Sequence, residues 1–210
     1  MQVVILGAGG HGRVVAEAAL MAGFHLLGFI DEDPALLSTT PLGLPVLGIT
    51  SAIESRLIAC DGVLFGVGRN NIRTDLLRRF GLSGHRLPTV IHPRAWVSPT
   101  ATLGAATVVM ANATVQTGCR IGAAVIINTN ASVDHGSALG DGAHVAPGAH
   151  LAGNVCVGEG SHIGIGATVI EGIRIGAGCL IAAGAVVVRD VLDGQRVAGV
   201  PARVMTSKEA

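Results

Sequence analysis

Residues 121–151 read IGAAVIINTNASVDHGSALGDGAHVAPGAHL, and Ile121, Ile127, Val133, Leu139, Val145 and Leu151 recur at every sixth place. The phase continues on both sides without a slip. Ile91, Val97, Leu103, Val109 and Val115 precede the stretch, and Val157, Ile163, Val169, Ile175, Ile181 and Val187 follow it. Four residues after each aliphatic stand mostly small side chains, among them Ala95, Ala101, Thr107, Ala113, Cys119, Ala131, Ser137 and Ala143, with Ile173 the bulky exception. A period of six fits neither an amphipathic helix nor a simple alternating strand. It fits short strands that turn a corner once per repeat, three of which make one coil of a triangular β-solenoid. Stacked coils pile the aliphatic residues into a continuous core, and the small residues fit where the corners leave little room.

Composition narrows the partners. The chain has 210 residues, 31 of them glycine, and 14 basic residues balance 14 acidic ones. That balance gives no electrostatic footprint for nucleic acid or an anionic membrane. No stretch approaches the roughly 20 uninterrupted apolar residues of a membrane span. Met1–Gly10 has no charged segment leading into an apolar one, so no signal peptide is expected and a cytoplasmic location is. The four cysteines, Cys60, Cys119, Cys156 and Cys179, show no CxxC or metal-finger spacing. Cys119 and Cys179 fall on the small inward position, where a buried thiol simply packs. Cys156 takes a different repeat position. The N-x-S/T matches at Asn112 and Asn130 lie inside the solenoid and are discounted as glycosylation sites.

Ahead of the repeat the chain reads strand, glycine loop, helix, strand: Val3–Leu6, Gly7-Ala8-Gly9-Gly10-His11-Gly12, Arg13–Ala22 closed by Gly23, and Leu26–Ile30 ending at Asp31. The loop matches G-x-G-x-x-G, and Asp31 follows at about the 20-residue spacing of a ribose-binding acid. Alone, this would suggest a dinucleotide oxidoreductase. Only about 88 residues precede the repeat, however, whereas two mononucleotide-binding halves need roughly 150. A second strand, Gly62–Val67, leads into Gly68-Arg69-Asn70-Asn71-Ile72-Arg73 and a helix ending near Gly81. Between them Pro41–Gly48 reads as a turn region with a brief strand at Pro45–Leu47. The expected domains are 1–88 and 89–210.

The order GAGGHG (7–12), FIDED (29–33), GVGRNNIR (66–73), IHPRAWVSP (91–99) and then an unbroken hexapeptide solenoid resembles the bacterial nucleotide-amino-sugar N-acetyltransferases and the related sialic-acid O-acetyltransferase-type proteins. The resemblance covers nearly the whole chain. It implies an α/β N-terminal half-Rossmann domain followed by a left-handed parallel β-helix. The handedness comes only from the resemblance, because parallel crossovers ordinarily favour the opposite hand. It also implies acetyl-CoA as cosubstrate, lying between protomers of a homotrimer, no metal, and a nucleotide-linked amino sugar held by Gly9, Gly10, His11, Asp31, Glu32 and Gly68.

Acetyl transfer from a thioester to an amine requires a base and a donor for the developing oxyanion, and histidine is the usual base near neutral pH. His25, His85 and His92 stand in ordinary contexts. Asn128–His135 resembles the family's strand leading to its catalytic base, which selects His135. The family usually follows that histidine with Asp or Glu, whereas this chain has Gly136, leaving a weaker base, a substitute acid such as Asp134, or a changed acceptor. His144 lies half a coil beyond His135, so the two should point apart within one protomer and serve one site only across neighbouring subunits. By the resemblance His144 contacts acetyl-CoA, Gly153 supplies a backbone N–H to the oxyanion, and Ile165 and Ala183 border the pantetheine arm. His162, one coil after His144, should stack beside it. The ending Ala198-Gly199-Val200-Pro201-Ala202-Arg203 resembles a family terminus near the CoA nucleotide and also suits a solenoid cap.

N-acetylation of a nucleotide-linked deoxyamino sugar in glycan synthesis is therefore the leading expectation. O-acetylation keeps the same fold. A γ-type carbonic anhydrase would need three zinc-binding histidines and lacks an H-x4-H pair here, and a noncatalytic nucleotide-sugar sensor is favoured only by Gly136.

Overall fold

The computed structural model describes residues 1–55 and 58–205. The chain opens with β1 (Gln2–Leu6), α1 (Gly10–Met21), β2 (His25–Ile30), β3 (Val46–Gly48), α2 (Thr50–Glu54), β4 (Gly62–Phe65) and α3 (Asn70–Leu82). The four strands form a parallel sheet in the order β3-β2-β1-β4. The chain order reverses between β1 and β4, the switch point where open α/β sheets leave a crevice.

Helix α1 begins at Gly10 rather than Arg13, because the glycine loop is wound directly into its first turn. A Cβ on Gly12 would strike the Gly7 carbonyl, and one on Gly7, at φ +104°, would stand 2.9 Å from the Gly66 carbonyl oxygen. Gly9 and Gly10 by contrast face open space. The loop's glycines thus divide into two that interlock the chain and two that leave room. The brief third strand starts one residue later than expected, at Val46: Pro45 has no N–H to give, though its carbonyl accepts from Phe29 at 2.9 Å. The single-turn helix α2, unforeseen in the sequence, buries Ile53.

Two-residue strands then repeat every six residues from Val90–Ile91 to Val186–Val187 and sort into three parallel sheets, the faces of a prism. Partners differ by one coil, as in Arg120↔Ala138, Ile126↔His144 and Ser132↔His150. The inward aliphatics Val109, Ile127, Val145, Ile163 and Ile181 are fully buried in one column. At inward corner positions Thr107, Ser137 and Ser161 are also fully buried. Each hydroxyl donates to a carbonyl of the next coil (Gly122, Ala152, Gly176) and accepts that coil's N–H (Val125, Val155, Cys179). No hydroxyl is left unpaired, which removes the penalty of burial. The Cys119 thiol donates to the Asp134 carbonyl at 3.1 Å in the same manner, as expected of a packed thiol. Asn112, Asn130 and Asn154 occupy outer corners at φ +58°, +57° and +57°, a conformation asparagine tolerates better than most residues. An antiparallel pair, Arg196–Ala198 with Arg203–Val204, closes the far end.

The sheet domain rests on the prism face that begins at Val90. Val108, Met110 and Ile126 of that face join the core of Val15, Ala19 and Phe29, and Ala106 and Ala124 join that of Ile53 and Phe80.

Candidate active site

At the carboxyl ends of β1, β2 and β4 lies a cavity of about 490 Å³, lined by Gly7, Asp31, Glu32, Ile49, Arg69 and Leu76 among others. Asp31 is committed to the backbone: Oδ2 accepts from Ala8 N–H at 2.7 Å and Oδ1 from Asp33 N–H at 3.0 Å. Glu32 Oε1 accepts from Thr50 N–H at 2.9 Å. Gly9 caps α1 without any side-chain bond, so the first-turn N–H groups of the loop are open to an anion.

A seam runs from this loop to the prism. His11 and His144 face each other with ring centroids 6.4 Å apart, and His162, the register partner of His144, lies edge-on at 4.7 Å. Asn128 Nδ2 lies 3.1 Å from His144 Nε2. His11 Nε2 and His144 Nδ1 are buried and lack a partner among the described residues. Burial, reinforced by the Arg73 charge, lowers His11 to about 4. Burial together with His162, Arg73 and His11 lowers His144 to about 3. His162 is lowered for the same leading reason, burial. Gly68 borders the His11 ring, so Gly9, Gly10, His11 and Gly68 meet at one place, with Asp31 and Glu32 at the cavity beside them.

Arg73 ties the seam together. It is 1% exposed and has no acidic partner among the described residues; instead Nε donates to Ala124 O at 2.6 Å, Nη1 to Val67 O and Gly68 O, and Nη2 to Asn70 Oδ1 and Gly142 O. Its burial lowers its pKa to about 10, which leaves it charged at neutral pH. Asn70 adds bonds to Gly160 O and Ser161 O. Sequence reasoning placed both residues in the GVGRNNIR motif but missed this role. An arginine after a glycine loop signals phosphate contact as readily as a carbonyl clamp, and only the docked prism supplies those carbonyls.

His135 stands at the corner between the Ser132–Val133 and Ala138–Leu139 strands, opposite the face that carries His144. It is exposed, and its ring covers the α-carbon of Gly153 on the next coil: a Cβ there would lie 2.5 Å from Cε1 and 2.6 Å from Nε2. Gly153 is buried, and its N–H has no acceptor among the described residues. Asp134 does not reach the imidazole; its Oδ1 accepts from the His135 backbone N–H at 2.7 Å. Gly136 has φ +69°, and a Cβ there would press on the Asn154 carboxamide of the next coil, so a side chain at this position must adopt an unfavourable backbone conformation and displace that carboxamide. Ile165, 61% exposed, and Ala183 stack at the corner where the His144 face ends. Among the described residues no group of three or more His, Cys, Asp or Glu side chains is arranged to hold a metal ion, and no helix is long and apolar enough to cross a membrane.

A half-Rossmann sheet opening on a cavity, docked against a hexapeptide prism with a histidine over a buried glycine, is the arrangement of a hexapeptide-repeat acyltransferase. Residues 2–80 match the family described as PglD N-terminal domain. UDP-N-acetylbacillosamine N-acetyltransferase of Bacillus subtilis is 40% identical over 112 residues, 52% of this chain and 51% of that protein, so the match spans about half of the curated relative's length. The acetyltransferase domain of PglB from Neisseria gonorrhoeae is 40% identical, covers 97% of this chain and 99% of its own, and superposes with a TM-score of 0.90; it has also been solved with acetyl coenzyme A. A histidine-to-asparagine variant of perosamine N-acetyltransferase from Caulobacter crescentus, in complex with CoA and GDP-perosamine, is 39% identical over 99% of this chain and 98% of its own, with a TM-score of 0.94. The chain belongs to the bacterial nucleotide-amino-sugar N-acetyltransferases, and its prism is the left-handed β-helix of that family.

Proposed function

We propose that the protein transfers an acetyl group from acetyl-CoA to the amine of a nucleotide-linked deoxyamino sugar, residues 1–88 holding the nucleotide and 89–210 forming the transfer domain. The observation that carries this reading is the His135 imidazole lying over Gly153, whose buried N–H has no acceptor among the described residues. A base and an oxyanion donor thus adjoin on consecutive coils. The sugar amine attacks the thioester carbonyl while His135 takes its proton, and the Gly153 N–H receives the carbonyl oxygen as it gains charge. Collapse expels the CoA thiolate, which recovers the proton from the imidazolium. No solvent proton is needed.

The opposed placement of His135 and His144 supports a homotrimer in which the base of one protomer meets the nucleotide loop and the His144, Ile165 and Ala183 side of its neighbour. In that arrangement Gly9, Gly10, His11, Asp31, Glu32 and Gly68 surround the nucleotide sugar, His144, Ile165 and Ala183 border acetyl-CoA, and the enzyme works in the cytoplasm. Incubation with acetyl-CoA and a panel of nucleotide-linked 4-amino sugars, read by free-thiol release and product mass, tests the reading. An acetylated sugar nucleotide is expected; thiol release indifferent to every amino sugar would refute it.

A further inference from the structure

We infer that Arg73, aided by Asn70, is a positioning residue for acetyl transfer, seating the loops of the sheet domain on the coil that carries His144, an inference resting on the nucleotide-sugar function proposed above. A guanidinium offers five N–H donors in one rigid fork. On one side Nη1 donates to Val67 O and Gly68 O just beyond β4, and the Gly68 backbone borders His11. On the other side Nε donates to Ala124 O and Nη2 to Gly142 O, one coil apart at the same prism corner. Gly142 stands two residues before His144, and Ala124 two before its register partner Ile126. Asn70 Oδ1 accepts from Nη2, and its amide donates to Gly160 O, the same corner one coil further on. One planar fork and its amide neighbour thus join the loop beside His11 to three consecutive coils.

Holding the domains together does not require such a group. They already share apolar cores through Val108, Met110, Ala106 and Ala124, and a buried cation carries a desolvation cost that an apolar residue avoids. Apolar contact is non-directional, however, and a prism corner offers a similar surface on every coil, about 4.8 Å apart. A directional fork fixes which seat is taken, and setting register is the best-attested use of buried polar groups. The seat is close-fitting as well. A Cβ on Gly142 would strike the Thr74 methyl, and the Thr74 hydroxyl is tied to α3 through Asn70 O and Asn71 O. With the sugar nucleotide on the sheet domain and the thioester on the prism, a shift at this seam changes the distance between the reacting groups and removes no contact to either substrate.

Turnover of Arg73→Lys tests this, at saturating acetyl-CoA and with whichever of the nucleotide-linked 4-amino sugars the unaltered chain acetylates. Lysine keeps the charge but gathers its donors on one atom, so it cannot bridge carbonyls on opposite sides. A misplacement of about 1 Å can cost about 10²-fold in rate, so kcat should fall roughly 10–100-fold. The calorimetric Kd for acetyl-CoA should stay within about threefold of the original. Unchanged kcat beside a lowered unfolding temperature would make Arg73 structural only and overturn the assignment. Should Arg73→Lys fail to fold, a second pair of variants decides. Gly142→Ala, at φ +65°, wedges Thr74 from the corner while every donor and acceptor of the clamp stays in the chain, and should lower kcat. Adding Thr74→Ser removes the methyl, keeps the hydroxyl and should restore kcat, while the strained backbone holds the unfolding temperature down. Turnover that ignores the wedge, or does not recover with Thr74→Ser, would equally overturn the assignment. Transfer by the unaltered chain upholds the function whatever the variants do; no transfer to any amino sugar refutes the function, and the assignment with it.

Discussion

The corner that carries His135 and the seam that carries His144 place the same side chain in opposed surroundings. At the corner the imidazole is exposed, sits over a bare glycine and has no carboxylate partner among the described residues, Asp134 being turned to the backbone. At the seam it is 8% exposed, ringed by His11, His162 and the Arg73 cation, and held neutral. The proposed base, which gains and loses a proton in each turnover, needs the first environment. A group that must stay uncharged against a second domain needs the other.

The largest test of this contrast is His135→Ala. A positioned base contributes about 10²–10⁴-fold to proton removal, so turnover should fall by that factor at saturating substrates with acetyl-CoA affinity little changed. His144→Ala is the counterpart, and should raise the KM for acetyl-CoA more than it lowers kcat. Near-normal turnover in the first variant would collapse the distinction.

Next in size is Arg73→Ala, which leaves the carbonyls of Ala124 and Gly142 without their donor. Each stranded acceptor costs about 1–3 kcal/mol, so the unfolding temperature should drop and proteolysis should begin in the sheet domain. Ile127→Ala, at a fully buried prism position, should cost a comparable 2–5 kcal/mol, yet its damage should appear as loss of the solenoid. If the two variants unfolded along the same order of segments, the seam would be no separate unit.

A smaller effect is expected from pH. The ordinary histidine value near 6.5 is depressed to about 4 in His11 and about 3 in His144. Both are neutral when folded, so their contribution is whole above about 6.5 and is lost as pH falls toward about 3. Acidification charges them against each other, His162 and Arg73. The unfolding temperature should therefore decline more steeply over that window than in His144→Gln, and parallel curves would contradict the electrostatic account.

The smallest concerns Gly136. Gly136→Asp puts a side chain at positive φ and against the Asn154 carboxamide, and should cost about 1–2 kcal/mol. Adding Asn154→Gly should return part of that loss, measured as denaturation midpoints. No recovery would show that the two positions are not in register.

Of these features the prism was fully legible, since six-residue spacing is a property of each local segment and needs no partner to be read. The half-Rossmann unit was legible for the same reason at its glycine loop, although α1 began three residues early because Gly12 packs on Gly7 across the turn. The opposed placement of His135 and His144 also followed from counting. What the chain order could not reveal were side-chain contacts that exist only in the folded chain: the Arg73 clamp across the two domains, the Asn128–His144 bond between neighbouring coils, and the Asn154 carboxamide that crowds Gly136. Each joins residues 16 or more positions apart, or on different domains.

The one-coil register has an architectural corollary. Adjacent strands are spaced about 4.8 Å apart, so the prism is a ruler, with His135 and Gly153 on neighbouring graduations. Inserting one whole coil beyond Gly153 would move the far cap away by about 4.8 Å without turning it. Inserting a single hexapeptide between His135 and Gly153 would instead rotate every later corner by about one face, roughly 120°, and carry Gly153 out from under the imidazole. Length in this region can therefore change only in whole coils if the faces are to keep their register, and between His135 and Gly153 it cannot change at all without parting the two.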